Sequence, residues 1–360
     1  GLSNAIPEAV DHSKLGARVE LSDVDNAEPG MSPMGIWCNE AKERYVLIVG
    51  ADRIDEFRAL CERERCPHAV VGTLTDDGLL VVSDREFDNN IVDMPMQMLL
   101  GNPPKMERRV ERAPLPARTL DLNGIEFIDA AMRVLRFPAV ADKSFLIHIG
   151  DRTVGGLTAR DQLVGPWQVP VSDVAITASG FRGVTGEAMA MGERTPLAVT
   201  NAPASGRMAV AEAITNIAAA PIESLDKVRL SANWMAAAGH PGEDANLFDT
   251  VRAVGDELCR ELGIAIPVGK DSMSMRTRWE DDKGEHNVVA PVSLLVSAFA
   301  PVTDVTRHLT PQLREVQEPS DLLLFDLGEG RNRLGGSCLA QAFQRTGGDT
   351  PDLDRPALLK

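Results

Sequence analysis

Aromatic side chains are scarce in this chain. They make up 4% of its 360 residues, with a single tyrosine, so the core must be aliphatic, built largely from Ala, Val, Leu and Met. Cysteine is scarce too. Cys38, Cys61, Cys66, Cys259 and Cys338 are odd in number and contain no CxxC pair. That pattern argues against a disulfide framework or a zinc site, and for free thiols in a reducing cytosol. Positive charge is short: 37 basic side chains against 53 acidic ones leave a net charge of −16. A surface this acidic repels nucleic acid and anionic membrane, which argues against both as partners. It also repels nucleotides, so any phosphate site here needs metal ions or a helix N-terminus to offset the field. No secretory signal opens the chain. The longest apolar run, residues 288–302, is broken by Pro291 and Pro301 and is too short to cross a bilayer. Low-complexity tracts and short repeats are absent. The expected location is cytoplasmic.

What is present is ordinary globular material, 44% hydrophobic and 25% charged, and long enough for two or three domains. The chain opens with GLSNAIPE, which reads as a loop entering a helix, and ends at Leu358-Leu359-Lys360 without a stop signal. Both ends are expected to be cuts in something larger. Residues 1–85 alternate helix and strand signals. Strands are expected over 18–21, 45–49, 69–73 and 79–83, with Asp76-Asp77-Gly78 as a hairpin turn between the last two. A helix starts at Ser32-Pro33 and runs towards residue 43, and a second, amphipathic helix covers 54–64. Residues 86–125 carry Pro95, Pro103, Pro104, Pro114 and Pro116 with weak periodicity and read as an ordered linker. A short amphipathic helix follows over 126–137.

A further domain is expected over 140–305. Its strands are read at 145–149, 169–177, 197–200, 228–232, 264–268 and 291–300, with helices at 206–218 and 247–262. Residues 306–360 start another unit, with a strand at 321–327 and a helix at 333–345.

Several places in this frame offer chemistry. In the helix GRMAVAEAITNIA, Glu212 and Asn216 are four apart and share one face, while Val210, Ile214 and Ile217 form the apolar stripe. A carboxylate and a carboxamide so spaced can give two oxygens to Mg²⁺. A plain Glu–Asn hydrogen bond on a helix surface is the simpler alternative. Asp173 follows Ser172 in an apolar run and shares a face with Val171 and Ala175. A carboxylate there is costly unless it is paired or bound to metal, or unless the position is an exposed strand end. The glycines and arginines of GDRTVGGLTARDQ fit either a phosphate loop or a charged hairpin; the segment lacks the P-loop ending and the GxGxxG spacing. Gly269-Lys270-Asp271-Ser272 leaves a strand at its carboxyl end, where α/β proteins often hold ligands, or is an Asp/Ser turn. His148 reads as a core histidine within a strand and His240 as a loop residue. No Ser/His/Asp or Cys/His relay can be assembled.

Taken together and in order, GDRTVGGLTARDQLVGPWQVPVSD, GRMAVAEAITNIA, LSANWMAAAGHPGEDANLFDTV, PVGKDSMSM and LTPQL resemble the large, multidomain form of phosphoribosylformylglycinamidine synthase. GLSNAIPE, WCNEAKERY and RNRLGGSCLAQ fit the same family, so the resemblance covers essentially the whole chain. It implies an α/β (α+β) fold of two halves, each similar to aminoimidazole ribonucleotide synthetase. Each half has an N-terminal domain whose strands help form a barrel, then a C-terminal α/β domain. On that pattern residues 1–85 end the first half's C-terminal domain and 86–139 are linker and short helix. Residues 140–305 are the second half's N-terminal domain, and 306–360 begin its truncated C-terminal domain.

The resemblance also implies an activity. An ATP- and glutamine-dependent ligase of purine biosynthesis phosphorylates the formamide oxygen of formylglycinamide ribonucleotide, and ammonia from glutamine displaces phosphate. An amide oxygen leaves poorly until phosphorylated, so an iminophosphate intermediate makes physical sense. The ammonia would come from a glutaminase domain missing here, so this segment alone is expected to be inactive and to hold no catalytic residue. Motif by motif, Asp173, Glu212 and Asn216 fall on Mg²⁺–nucleotide positions and Ser172 lines the nucleotide. In the large form this second site resembles a pseudo-active site that keeps ADP with Mg²⁺ as a structural element. Glu40 falls in a substrate-binding stretch where Ala41 and Lys42 depart from the usual Ser-Gln, and Ser272 matches a substrate-contacting serine. The intact large form is expected to be a monomer. Two other readings remain: a stand-alone aminoimidazole ribonucleotide synthetase-like ATP enzyme, and a non-catalytic scaffold locked by nucleotide.

Overall fold

The computed structural model describes every residue except 41–43, 103, 114–118, 151–152, 154 and 314–319. Ala41, Lys42, Asp151 and Arg152 therefore lie outside the described residues. The chain divides into two units, Gly1–Arg108 and Arg109–Lys360.

In the first unit, helix α1 (Leu2–His12) leads into strand β1 (Gly16–Glu20). Helices α2 (Pro33–Cys38) and α3 (Ile54–Arg63) follow, then β2 (Gly72–Thr75), β3 (Leu79–Asp84), β4 (Asn89–Pro95) and the short α4 (Met96–Leu100). Ser32 caps α2 as its sequence promised, its hydroxyl accepting from the Gly35 N–H at 3.1 Å, but the helix stops at Cys38. The sheet order is β2-β1-β3-β4. Strand β1 thus lies between β2 and β3, antiparallel to one and parallel to the other, so Asp76-Asp77-Gly78 is not the turn of a paired hairpin. Asp77 holds that turn instead. It accepts from the Thr75 hydroxyl at 2.7 Å and the Leu79 N–H at 3.0 Å, and pairs with Arg18 of β1. The core joins Leu2, Ile6 and Val10 of α1 to Val19, Leu21, Leu80 and Val82. Residues 45–49, read as a strand, are irregular, with Tyr45 and Leu47 exposed. Part of the expected linker is regular, since β4 pairs with β3.

The second unit opens with helices α5 (Phe127–Arg136) and α6 (Ser144–Ile149). The latter replaces the strand expected at 145–149 and leaves His148 exposed rather than in the core. Strands β5 (Val174–Ala178) and β6 (Gly186–Glu193) precede the long helix α7 (Thr195–Ile217). Its first turns include the 197–200 run read as a strand, and a kink at Asn201 precedes the glycine- and alanine-rich remainder. Strand β7 (Arg229–Met235) leads to α8 (Glu243–Val251), a π-helical stretch over Arg252–Leu258 and α9 (Cys259–Leu262), which together span the predicted 247–262 helix. Then come β8 (Ala265–Ser272), β9 (Arg276–Asp281), β10 (Gly284–Val289), β11 (Ser293–Val302) and the short α10 (Cys338–Ala342).

The main sheet runs β5-β6-β11-β7-β8 and is open, with β5 and β8 as edges. Only β7 and β8 are parallel. Alternate residues of β6 and β11 are buried, which puts one face of the sheet against helix α7. That face is lined by small residues, among them Ala188, Ala190, Ala232 and Ala298, all under Val210, Ala213, Ile214 and Ile217 of the helix. A Cβ on Gly192 would run into the Ala209 carbonyl, so glycine there sets how closely β6 and α7 approach. Residues 321–327 are not a strand, and Leu322, Leu323, Leu324 and Phe325 are exposed.

Candidate functional site

The close contact of β6 and α7 places two side chains side by side. Asn216 donates its amide Nδ2 to the Met191 carbonyl of β6 at 2.9 Å. Glu212, one turn earlier, accepts from the Glu193 N–H at 2.8 Å through Oε2 and pairs through Oε1 with Arg194 at 3.0 Å. The i, i+4 spacing thus brings both groups over the end of one strand. The Asn216 bond fixes the amide orientation: its NH₂ faces a carbonyl, so its oxygen is the acceptor it presents outward.

Both residues line a cavity of about 320 Å³. Helix α7 supplies Met208, Ala211 and Thr215 to one side, and Leu327, Gly328, Arg331, Arg333 and residues 351–353 form the other. Arg207 binds Asp352 through two bonds of 2.8 and 2.5 Å and so ties α7 to that second wall. The same hydrogen bonds hold the Arg207 guanidinium above its ordinary pKa. Arg333 pairs with Asp354 and donates to the Asp352 carbonyl at 3.1 Å, and Arg331 pairs with Asp354 at 3.2 Å. The lining thus gathers Arg194, Arg331 and Arg333, the first paired with Glu212 and the other two with Asp354, in a chain of net charge −16.

Asp173 is exposed at the entrance to β5, not inside an apolar strand. The β5–β6 register pairs Val174 with Ala190, which sets Asp173 level with Met191, the residue whose carbonyl holds Asn216. It does not line the cavity. Ser172 spends its hydroxyl on a 3.1 Å bond to the Val174 carbonyl and its N–H on Gln162. Ser272 ends the edge strand β8, half-buried, and lies outside the cavity. Glu40 belongs to the first unit and is exposed just after α2. Sequence reasoning gave no site role to Arg194, which stands between β6 and α7. Nor did it give one to Arg331 and Arg333, although RNRLGGSCLAQ was among the diagnostic segments; an arginine-rich glycine turn was the signal.

Glu212, Asn216 and Asp173 offer only oxygen donors, the set a hard divalent cation takes. Glu212 uses one lone pair of each oxygen on its present partners and keeps others. Arg194 supplies the positive charge that the carboxylate needs. Glu212 and Asn216 supply the donor types Mg²⁺ takes, and Asp173 stands on the neighbouring strand outside the cavity lining. Among the described residues there is no cluster of three or more His, Cys, Asp or Glu able to hold a metal without the carboxamide.

Residues 142–301 match the model of the FGAR-AT PurM_N-like domain, and residues 1–85 match the C-terminal domain of AIR synthase related protein. Two separate parts of the chain thus match domain models of AIR synthase-related proteins, the larger being the FGAR-AT PurM_N-like domain. Among solved structures it is similar to phosphoribosylformylglycinamidine synthase II of Thermotoga maritima, at 19% identity and a TM-score of 0.57, over 87% of this chain and 46% of that one. T. maritima PurL complexed with FGAR gives a TM-score of 0.58 at 19% identity, over 87% of this chain and 45% of the other. T. maritima PurL complexed with ADP gives 0.58 at 19%, over 87% and 47%. The chain therefore spans less than half the length of these proteins, and at this identity the likeness is one of fold. No described helix is long and apolar enough to cross a membrane.

Proposed function

We propose that this chain is part of an ATP- and glutamine-dependent ligase that converts formylglycinamide ribonucleotide to formylglycinamidine ribonucleotide, and that the cavity under α7 holds a Mg²⁺–ADP as a structural element. The observation that carries the reading is the pairing of Glu212 and Asn216 over the end of β6, on an arginine-lined cavity. The relatives solved with FGAR and with ADP support the substrate and nucleotide classes.

Each residue then has a task. Bound Mg²⁺ would neutralise the diphosphate against a carboxylate-rich protein. Glu212 and Asn216 would hold that ion, and Asp173, level with Met191 on the neighbouring strand, would close the set from the β5 side. Arg194 neutralises Glu212 while no cation is present and is free to turn to phosphate when one is, as guanidinium does well. Arg331 and Arg333 offer further donors on the facing wall. Ser172, Glu40 and Ser272 remain proposed contacts for nucleotide and substrate. The reaction itself would phosphorylate the formamide oxygen to make it a leaving group, and ammonia from a glutaminase domain would then displace phosphate. On this reading no catalytic residue sits in the present chain, which alone turns nothing over, and the complete protein is a cytoplasmic monomer.

Titration calorimetry with Mg²⁺ and ADP tests the site. The chain is expected to bind the pair. Glu212→Gln is expected to weaken binding at least tenfold, a loss of about 1.4 kcal/mol. Equal affinity in the variant, or binding indifferent to Mg²⁺, would overturn the assignment. ADP retained through purification would mark a structural site, and exchange on mixing a catalytic one.

A further inference from the structure

We infer that Cys61 and Cys66 are a reversible redox pair, an oxidative modification site at the end of α3 that closes as an intrachain disulfide. Nothing in the nucleotide site uses these residues; they belong to the first unit, on its surface helix.

The backbone sets the geometry. Helix α3 ends at Arg63, Arg65 takes the left-handed conformation with φ 53°, and the chain turns back. The Cys66 N–H donates to the Cys61 carbonyl at 2.8 Å, and the Arg65 N–H to the Glu62 carbonyl at 3.2 Å. These are the six-to-one and inner bonds of a Schellman ending, whose outermost residues meet. In most such endings that meeting is an apolar contact; here both positions are cysteines, and the Cys66 thiol donates to the Pro67 carbonyl at 3.8 Å. A carbonyl oxygen lies roughly 2.4 Å from its own Cα and an amide nitrogen about 1.46 Å from its own. With the 2.8 Å bond between them, the two Cα atoms can be no more than about 6.7 Å apart, inside the disulfide range of about 4.4–6.8 Å. The segment after Cys66 is already folded back, with His68 edge-on to Phe57 of the helix at 5.9 Å. Closure needs little backbone movement.

Exposure divides the roles. Cys66 is open to solvent, while Cys61 is 8% exposed. Burial, and then the neighbouring Cys66, push the Cys61 thiol up, which keeps it protonated and leaves the first attack to Cys66. With hydrogen peroxide as oxidant, the Cys66 sulfur attacks one oxygen and the O–O bond breaks, giving a sulfenic acid and one water. The Cys61 sulfur then attacks Cys66 Sγ, the S–O bond breaks, and a second water leaves with the Cys61 proton. Two thiols lose two electrons and two protons, and one peroxide becomes two waters. A dithiol reductant reverses the step by exchange. The spacing is C-x₄-C, so a search for CxxC passes over it. The other buried thiol, Cys259, is pushed up to about 11 by burial alone.

Trypsin makes the test direct. Arg63 and Arg65 both lie between the two cysteines, so digestion separates peptide 59–63 from the peptide that begins at Cys66. The full chain is treated with a small excess of hydrogen peroxide, its free thiols are alkylated under denaturing conditions, and it is digested without reductant. The expected product is these two peptides joined, short of two hydrogens, and separated by dithiothreitol. Cys61→Ser is expected to abolish the joined pair and to raise dimedone trapping of the sulfenic acid at Cys66. Recovery of both wild-type peptides separately alkylated after that treatment would overturn the pair. So would an oxidised Cys66 beside an alkylated Cys61, and neither result depends on the variant folding.

Discussion

Asn216 is a hinge between packing and chemistry. Its NH₂ group holds helix α7 to β6 through the Met191 carbonyl, and the oxygen it presents outward is the one the proposed ion would use. Asn216→Ala removes both. Urea unfolding of the second unit is expected to show a loss of about 1 kcal/mol, alongside weaker Mg²⁺–ADP binding. Asp77 belongs to the other unit and to stability alone. Hydrogen bonds from the Leu79 N–H and the Thr75 hydroxyl, with Arg18 close by, hold its carboxyl below the usual aspartate range. A depressed folded pKa stabilises above the unfolded value of about 3.9 and is lost as pH falls through the folded value. Wild type should therefore lose urea resistance below about pH 4 more steeply than Asp77→Asn. A parallel decline in the two proteins would remove Asp77 from the account. At this scale much was legible: the i, i+4 spacing of Glu212 and Asn216 sufficed to put them on one face. Asp173 was less so. Its apolar neighbours left a buried carboxylate and an exposed strand end both open, and the strand begins one residue later, at Val174, so the second holds.

The elements follow local signals where a cap or a long period marks them. Ser32 with Pro33 gave the start of α2, and the apolar stripe around Val210 gave α7. Short apolar runs divided: those at 79–83, 228–232 and 264–268 are strands and others are not, because four or five such residues suit a strand and a helix turn alike. Residues 145–149 and 197–200 are both helical for this reason. The insertion of β1 between β2 and β3 was invisible, since strand order is set by long-range pairing and the Asp-Gly turn carries no sign of it. The contact between β6 and α7 is the element-level feature that makes the site. Gly192→Ala is expected to lower the melting temperature and weaken Mg²⁺–ADP binding together, because the Ala209 carbonyl occupies the space a methyl needs. In the first unit Leu80, fully buried in β3, has no role at the site. Leu80→Ala should cost roughly 2–5 kcal/mol in that unit's unfolding and leave nucleotide affinity unchanged.

Over the whole molecule the acidic balance frames the chemistry. A chain of net charge −16 binds a diphosphate only where cations are concentrated, and the cavity under α7 gathers three arginines from two regions distant in sequence. That gathering was the least legible feature, because Arg194 and the Arg331–Arg333 turn meet only through the folded path of residues 327–353. A crystal structure of this chain grown with Mg²⁺ and ADP bears most directly on the central claim. The expected result is an ion ligated by Glu212 and Asn216, Arg194 turned from Glu212 to phosphate, and Asp173 closing the set. A nucleotide bound elsewhere, with the Glu212–Arg194 pair intact and no ion beside Asn216, would contradict it.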